Sequence, residues 1–242
     1  MDRKYLIVNA DDFGLSEGVN RGIIEAGERG IVTSASLMVR QPAAESAARY
    51  ARGHAGMSVG LHLDLGEWVF RDGEWVPLYA VVPPEDANQV AGEVARQLAE
   101  FRRLVGRDPT HIDSHQHVHR QEPARAIVLD LAREMSIPVR DCTEGIVYCG
   151  DFYGQTGEGE RIEEALTCAG LERILDSLPK GITELGCHPG YGEGLATSYR
   201  DERVLELSVL CAPEIRNALD ARGIRLCSFD GISRLVQALR TA

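Results

Sequence analysis

Among its six cysteines (142, 149, 168, 187, 211 and 227) the 242-residue chain has no Cys-x-x-Cys pair, and at this length it needs no disulfides to hold a core. The cysteines therefore read as reduced thiols of a cytoplasmic protein. Basic residues are also scarce: 26 Lys and Arg stand against 37 Asp and Glu, a formal net charge of −11. Such an acidic balance excludes a phosphate-tracking nucleic-acid surface or an anionic membrane as the default partner. The start of the chain, "MDRKYLIVNADD", meets carboxylates after four apolar residues, far short of a signal-peptide core or a membrane span. Internal repeats, low-complexity linkers and shifts of composition are absent too, so residues 1–242 read as one domain. Folding at this length buries roughly 70 to 75% of the accessible surface.

What the sequence does contain is an alternation of short β-rich runs with longer helical patterns, the signature of βα units and a mainly parallel sheet. Seven strands are expected, at Tyr5 to Val8, Thr33 to Met38, Ser58 to Leu63, Thr110 to Asp113, Pro138 to Arg140, Thr183 to Cys187 and Arg225 to Cys227. Ser16 can cap a first helix that Gly30 ends in a left-handed turn. A second helix runs from about Pro84 to Val105, with Val90, Val94, Leu98, Phe101 and Val105 on one face. Further helices fit near Pro123 to Met135, Ile162 to Leu178, Glu202 to Arg222 and Ile232 to Leu239. Two stretches break the rhythm. "EWVFRDGEWVPL", residues 67–78, reads as a hairpin turning at Asp72 and Gly73. The run from 142 to 160 holds five glycines and reads as a loop over the site or a mobile lid.

Polar residues collect at the C-terminal ends of the expected strands: Asp11 and Asp12 after the first, His62 closing the third, His115 after the fourth and His188 after the sixth. In a parallel sheet or barrel those ends share one face, where loops bring catalytic groups together. Taken alone, "DDFG" could be a solvated turn. Against that stands "THIDSHQHVHR", residues 110–120, which holds four of the seven histidines. If it is extended, His111, Asp113, His115, His117 and His119 share one face, too many to ligate one ion. One carboxylate and two imidazoles around a divalent ion leave positions open for water and substrate, as hydrolysis requires. A second, unligated carboxylate can then serve as general base.

The combination of "NADDFGLS", "GLH", "THIDSHQHVH" and "CHPGY" resembles the YdjC-like carbohydrate deacetylases, relatives of the chitooligosaccharide deacetylases and of a hopanoid-associated branch, from Leu6 to about Tyr191. The resemblance implies an α/β fold, a distorted (β/α) TIM-like barrel with about seven parallel strands and the active site at their C-terminal ends. It further implies one divalent metal ion, magnesium or zinc, on Asp12, His62 and His115, with Asp11 as the base that activates water and His188 as the acid that protonates the leaving amine. The substrate it implies is a small acetylated sugar. Asp113, His117, His119, Arg140 and Tyr191 are candidates for orienting ligands or touching sugar hydroxyls. Trp68, Trp75, Tyr148, Phe152 and Tyr153 could stack on sugar faces or pack locally. Two alternatives stay open, another metallohydrolase on the same scaffold (phosphoesterase or cyclic amidase) and a non-catalytic sugar-binding protein. A homodimer is a plausible assembly because twofold pairs are the commonest oligomers.

Overall fold

Strand β1 (Lys4–Phe13) is the axis on which the rest is built, and its residues from Leu6 onward are all buried. In this computed structural model, which describes residues 3–162, 164–193, 195 and 199–240, β1 is followed by α1 (Glu17–Glu28), β2 (Ser34–Leu37), α2 (Ala44–Gly53), β3 (Ser58–Leu63), the hairpin β4 (Gly66–Arg71) and β5 (Glu74–Ala80), and α3 (Ala87–Val105). Next come β6 (Ile112–Ser114), a 3₁₀ turn (His115–Arg120), α4 (Ala124–Met135), β7 (Ile146–Cys149), α5 (Cys168–Ser177) and β8 (Gly181–Cys187). The chain closes with α6 (Asp201–Leu210), α7 (Pro213–Ala221), β9 (Ile224–Leu226) and α8 (Ile232–Arg240). Among the described residues no helix is long and apolar enough to cross a membrane.

Seven parallel strands form one curled sheet in the order β6-β3-β2-β1-β8-β7, with β9 also on β1. Strand β8 pairs along one edge of β1 from Lys4 to Ala10, while β9 (at Lys4 to Leu6) and β2 (from Asn9) share the other edge end to end. The sheet and its helices make a half-barrel of α/β type. On β1, Leu6, Val8 and Ala10 belong to the main core with the helices, whereas Ile7 joins Ile182, Phe229 and Ile232 in a separate apolar cluster that α8 covers. That second cluster is the floor of the barrel. Above it the interior positions turn small and polar, including Ser34, Ser36, Ser58 and Asn9, all buried.

Several elements differ from the sequence expectation, each for a local reason. Strand β7 lies inside the glycine-rich run 142–160 and pairs with β8 from Ile146–Ile182 to Cys149–Leu185, so part of that run is sheet and not lid. Pro138 to Arg140 contributes only a single parallel bridge, Ile112 to Val139. The helix expected from Glu202 to Arg222 is two, because Pro213 lacks an N–H and holds Ala212 in an extended conformation (φ −67, ψ 128). Gly30 does not end α1 in a left-handed turn: Arg29 caps it at φ −114, and a Cβ at Gly30 would lie 2.6 Å from the Leu210 carbonyl oxygen. The hairpin does turn at Asp72 (φ 52) and Gly73 (φ 84), as a two-residue loop needing two positive φ values requires.

Helix α1 also seats the loop after β8. A Cβ on Gly22 would come within 2.4 Å of the Gly190 Cα, and one on Gly18 within 2.6 Å of the Tyr191 carbonyl oxygen. The backbone of residues 190–191 therefore lies directly on the helix, with the Tyr191 N–H donating to the Gly18 carbonyl at 3.1 Å. Gly22→Ala should destabilise the protein by about 1 to 3 kcal/mol, the usual range for overpacking. Thermal denaturation measures the loss, and an unchanged Tm would show that the loop can retreat freely.

Candidate active site

The two adjacent aspartates come first, because a regular strand would send them to opposite faces. Strand β1 pairs with β2 at Ala10–Ala35 and then at Phe13–Leu37, so Asp11 and Asp12 together oppose the single residue Ser36. This is a β-bulge, and Asp12 takes the left-handed conformation within it (φ 66). The extra residue and the positive φ turn both carboxylates into the barrel mouth.

Each aspartate then meets its own arginine. Arg140, fully buried, donates through Nη1 to Asp11 Oδ2 (2.6 Å) and through Nη2 to Asp11 Oδ1 (2.7 Å). The same guanidinium reaches Asp113 Oδ2 (2.7 Å) and, from Nε, Glu184 Oε1 (2.7 Å). Burial raises the pKa of Asp11, but the Arg140 charge outweighs it and holds the carboxyl below its ordinary value. Arg203, on α6, donates from Nη2 to Asp12 Oδ2 at 2.5 Å. The other Asp12 oxygen is buried with no hydrogen-bond partner.

That free oxygen faces two imidazoles. Asp12 Oδ1 lies 3.4 Å from His62 Nε2 and 3.3 Å from His115 Nδ1, and the two rings stand at 69° with centroids 5.9 Å apart. His62 Nδ1 donates to Asp113 Oδ1 at 2.8 Å, which orients the ring and turns Nε2 toward Asp12. Burial disfavours a charged imidazole at both histidines. At His62 the neighbouring carboxylates, Asp113 first, outweigh that and lift it to about 10; at His115, Asp12 and Glu67 lift it to about 9. The pocket therefore attracts positive charge. One orphaned carboxylate oxygen with an imidazole nitrogen 3.3 Å and another 3.4 Å away, all three within 4.8 Å of one another, fits the donor set of a single divalent ion with open positions.

His188 stands across the mouth, with Nε2 3.8 Å from Asp11 Oδ2 and Nδ1 3.7 Å from Glu206 Oε1. Its backbone N–H donates to Glu206 Oε2, and the Tyr199 hydroxyl donates to Oε1 of the same carboxylate. Tyr153 and Tyr199, stacked at 4.4 Å, both present themselves edge-on to the His188 ring. The side chains of His115 and His188 are 19% and 22% exposed, while Asp11, Asp12, His62 and Asp113 are at or below 6%, so of these residues the two histidines are the ones that meet solvent.

The remaining candidates scatter. Histidines 111 to 119 do not share a face, because β6 ends at Ser114 and Gln116 and His117 take positive φ values (49 and 56) in the turn that follows. His111 lies under the sheet against Gly60, stacked on Phe229 at 3.8 Å. His119 is buried and accounts for both ring nitrogens with Ser114 Oγ (2.6 Å) and the Arg140 carbonyl (3.1 Å). His117 lies 3.4 Å from the Tyr148 hydroxyl. Tyr191 sits apart on α1, its hydroxyl donating to Glu25 at 2.5 Å. Of the aromatics, Phe152 is core, and Trp75 is 56% exposed on the hairpin. The hairpin is tied to the site by Gln116, whose side chain donates to the Trp68 carbonyl and accepts from its N–H, both at 2.8 Å.

Residues 5–221 match the family described as YdjC-like protein. The chain is 34% identical to a chitooligosaccharide deacetylase of Serratia marcescens, over 95% of this chain and 99% of the relative, and 35% identical to a carbohydrate deacetylase of Geobacillus stearothermophilus, over 93% and 97%. Among solved structures it is similar to a protein of Enterococcus faecalis V583 provisionally assigned to cellobiose-phosphate cleavage, with a TM-score of 0.74, 26% identity and coverage of 95% and 99%. It is also similar to a family 4 carbohydrate esterase from Streptomyces lividans solved with acetate, with a TM-score of 0.56, 15% identity and coverage of 94% and 93%. The latter likeness is one of fold alone.

Proposed function

The chain belongs to the YdjC-like protein family, and from that premise we propose that it is a metal-dependent carbohydrate deacetylase, hydrolysing the acetyl amide of an N-acetylglucosamine-containing saccharide or glycoconjugate to acetate and the free amine. The observation that carries the reading is the sorting of the two aspartates. Asp12 keeps one oxygen free toward two imidazoles, whereas Asp11, held on both oxygens by Arg140, points at His188.

Asp12, His62 and His115 would hold the cation, magnesium or zinc. When bound, it polarises the acetyl carbonyl and stabilises the charge that develops on its oxygen. Asp11, kept ionised by Arg140, takes a proton from the attacking water. His188 gives a proton to the departing nitrogen. His188 Nε2 lies 3.8 Å from Asp11 Oδ2, close enough for the proposed base and acid to reach one small reacting group from the same side. Asp113 orients His62 through Nδ1, and Glu206 fixes the backbone of His188. A phosphoesterase is disfavoured because both arginines at the site, Arg140 and Arg203, are already engaged by carboxylates and offer no free cation to a phosphate.

The test is acetate release from a panel of N-acetylated mono- and disaccharides, with chelated protein reloaded with each divalent metal in turn. Release of phosphate but never acetate from a broad panel would sink the reading. The centre should hold about one divalent ion per chain. His115→Ala should lower its affinity for that ion by at least the 10- to 100-fold seen for outer partners of ligands. Equal metal content in wild type and variant, by elemental analysis, would remove His115 from the site.

A further inference from the structure

We infer that Arg140 occupies the place of an additional divalent cation, so that its guanidinium keeps the centre to one ion and leaves Asp11 unligated. The inference rests on the metal reading of the neighbouring Asp12 cage. Two groups of acidic and imidazole donors converge within 4.8 Å among the described residues: Asp12, His62 and His115, and Asp11, His62 and Asp113. They share His62, one nitrogen facing each group. The first group has an orphaned oxygen at its centre, whereas the second is filled by Arg140.

Around that guanidinium stand three carboxyl groups, Asp11, Asp113 and Glu184, all buried. Glu184 Oε1 accepts from Arg140, but Oε2 is buried with no hydrogen-bond partner. Burial pushes Glu184 up to about 7 even with Arg140 beside it, which marks the pocket as under-compensated. Three carboxyl groups with one imidazole beside them suit an ion such as Mn²⁺. In two-metal hydrolytic centres each ion neutralises the carboxylates around it. Here a side chain does that work on one half. The consequence is chemical, because a carboxylate clamped by an ion is a ligand, while one held by a guanidinium can still accept a proton.

The experiment measures Mn²⁺ bound per chain by equilibrium dialysis for wild type, Arg140→Ala and the double variant Arg140→Ala with Asp113→Asn. Arg140→Ala should bind one more ion than wild type, and the double variant should lose that extra ion. Because removing the arginine leaves buried carboxylates uncompensated, folding is followed by circular dichroism with and without Mn²⁺. A variant that folds only with Mn²⁺ and then carries the extra ion supports the inference equally. The inference is overturned if folded Arg140→Ala binds no more than wild type, if Mn²⁺ does not restore an unfolded variant, or if the extra ion survives Asp113→Asn. Should wild type bind none while Arg140→Ala binds one that Asp113→Asn removes, the reading of the Asp12 cage fails and the role of Arg140 stands.

Discussion

Asp11→Asn should keep its cation and lose turnover by about 10² to 10⁴-fold, the usual size of a general-base contribution, whereas Asp12→Asn should lose the cation itself. The two variants differ by one position and one oxygen, yet their environments oppose each other. Asp11 spends both oxygens on Arg140, and its amide replacement would still present a carbonyl to one guanidinium N–H while being unable to take a proton. Asp12 spends one oxygen on Arg203, and the second lies between His62 and His115. An amide there weakens the single anionic donor of the cage. Metal analysis alongside single-turnover rates separates the two. If Asp11→Asn were the variant that emptied the site, the roles of the pair would be exchanged.

His188→Ala should bind substrate nearly as well as wild type and turn over the amide about 10² to 10⁴-fold more slowly, since proton donation to the leaving nitrogen is made only as the bond breaks. An O-acetyl ester of the same sugar should suffer far less, because its leaving oxygen needs less protonation. Comparing kcat on amide and ester for both proteins gives the discriminating ratio. Equal losses on the two would remove His188 from the role of acid and leave it as a wall of the site. Glu206 sets the control: it grips the His188 backbone N–H, so a change there moves the ring without removing it.

Much of the fold could be read before the structure, because the βα alternation is a property of short windows. Strand β3 spans Ser58–Leu63 as expected, and α1 begins at a Ser16 cap whose side chain accepts from the Val19 N–H. What escaped were features set by register and by distance in sequence. Strand β7 shows only the short apolar run Ile146–Tyr148 within a glycine-rich stretch, and its pairing with β8 decides its conformation. The inward turn of both Asp11 and Asp12 depends on a slip against Ser36 that no local pattern announces. Arg203 and Glu206 lie far along the chain in α6, and a signal was there. The helix "DERVLELSVL" buries Glu202, Arg203 and Glu206 on the face that should be apolar, which is expected only where charges have partners inside. The spacing of histidines 111 to 119 misled for the opposite reason, since a strand-like alternation continued past the residue where the strand stops.

The apolar floor has a bearing on traffic. With Ile7, Ile182, Phe229 and Ile232 packed together beneath the polar interior and α8 laid over them, the described residues close the lower end of the barrel. Among the described residues the site is open to solvent at His115 and His188. On the proposed reaction the acetyl group enters first, toward Asp12 and Asp11, with the sugar behind it. A polymer cannot be threaded through such a chamber, so each cycle ends with the saccharide released or drawn back from the opening, and successive residues of a long chain would each require a fresh approach.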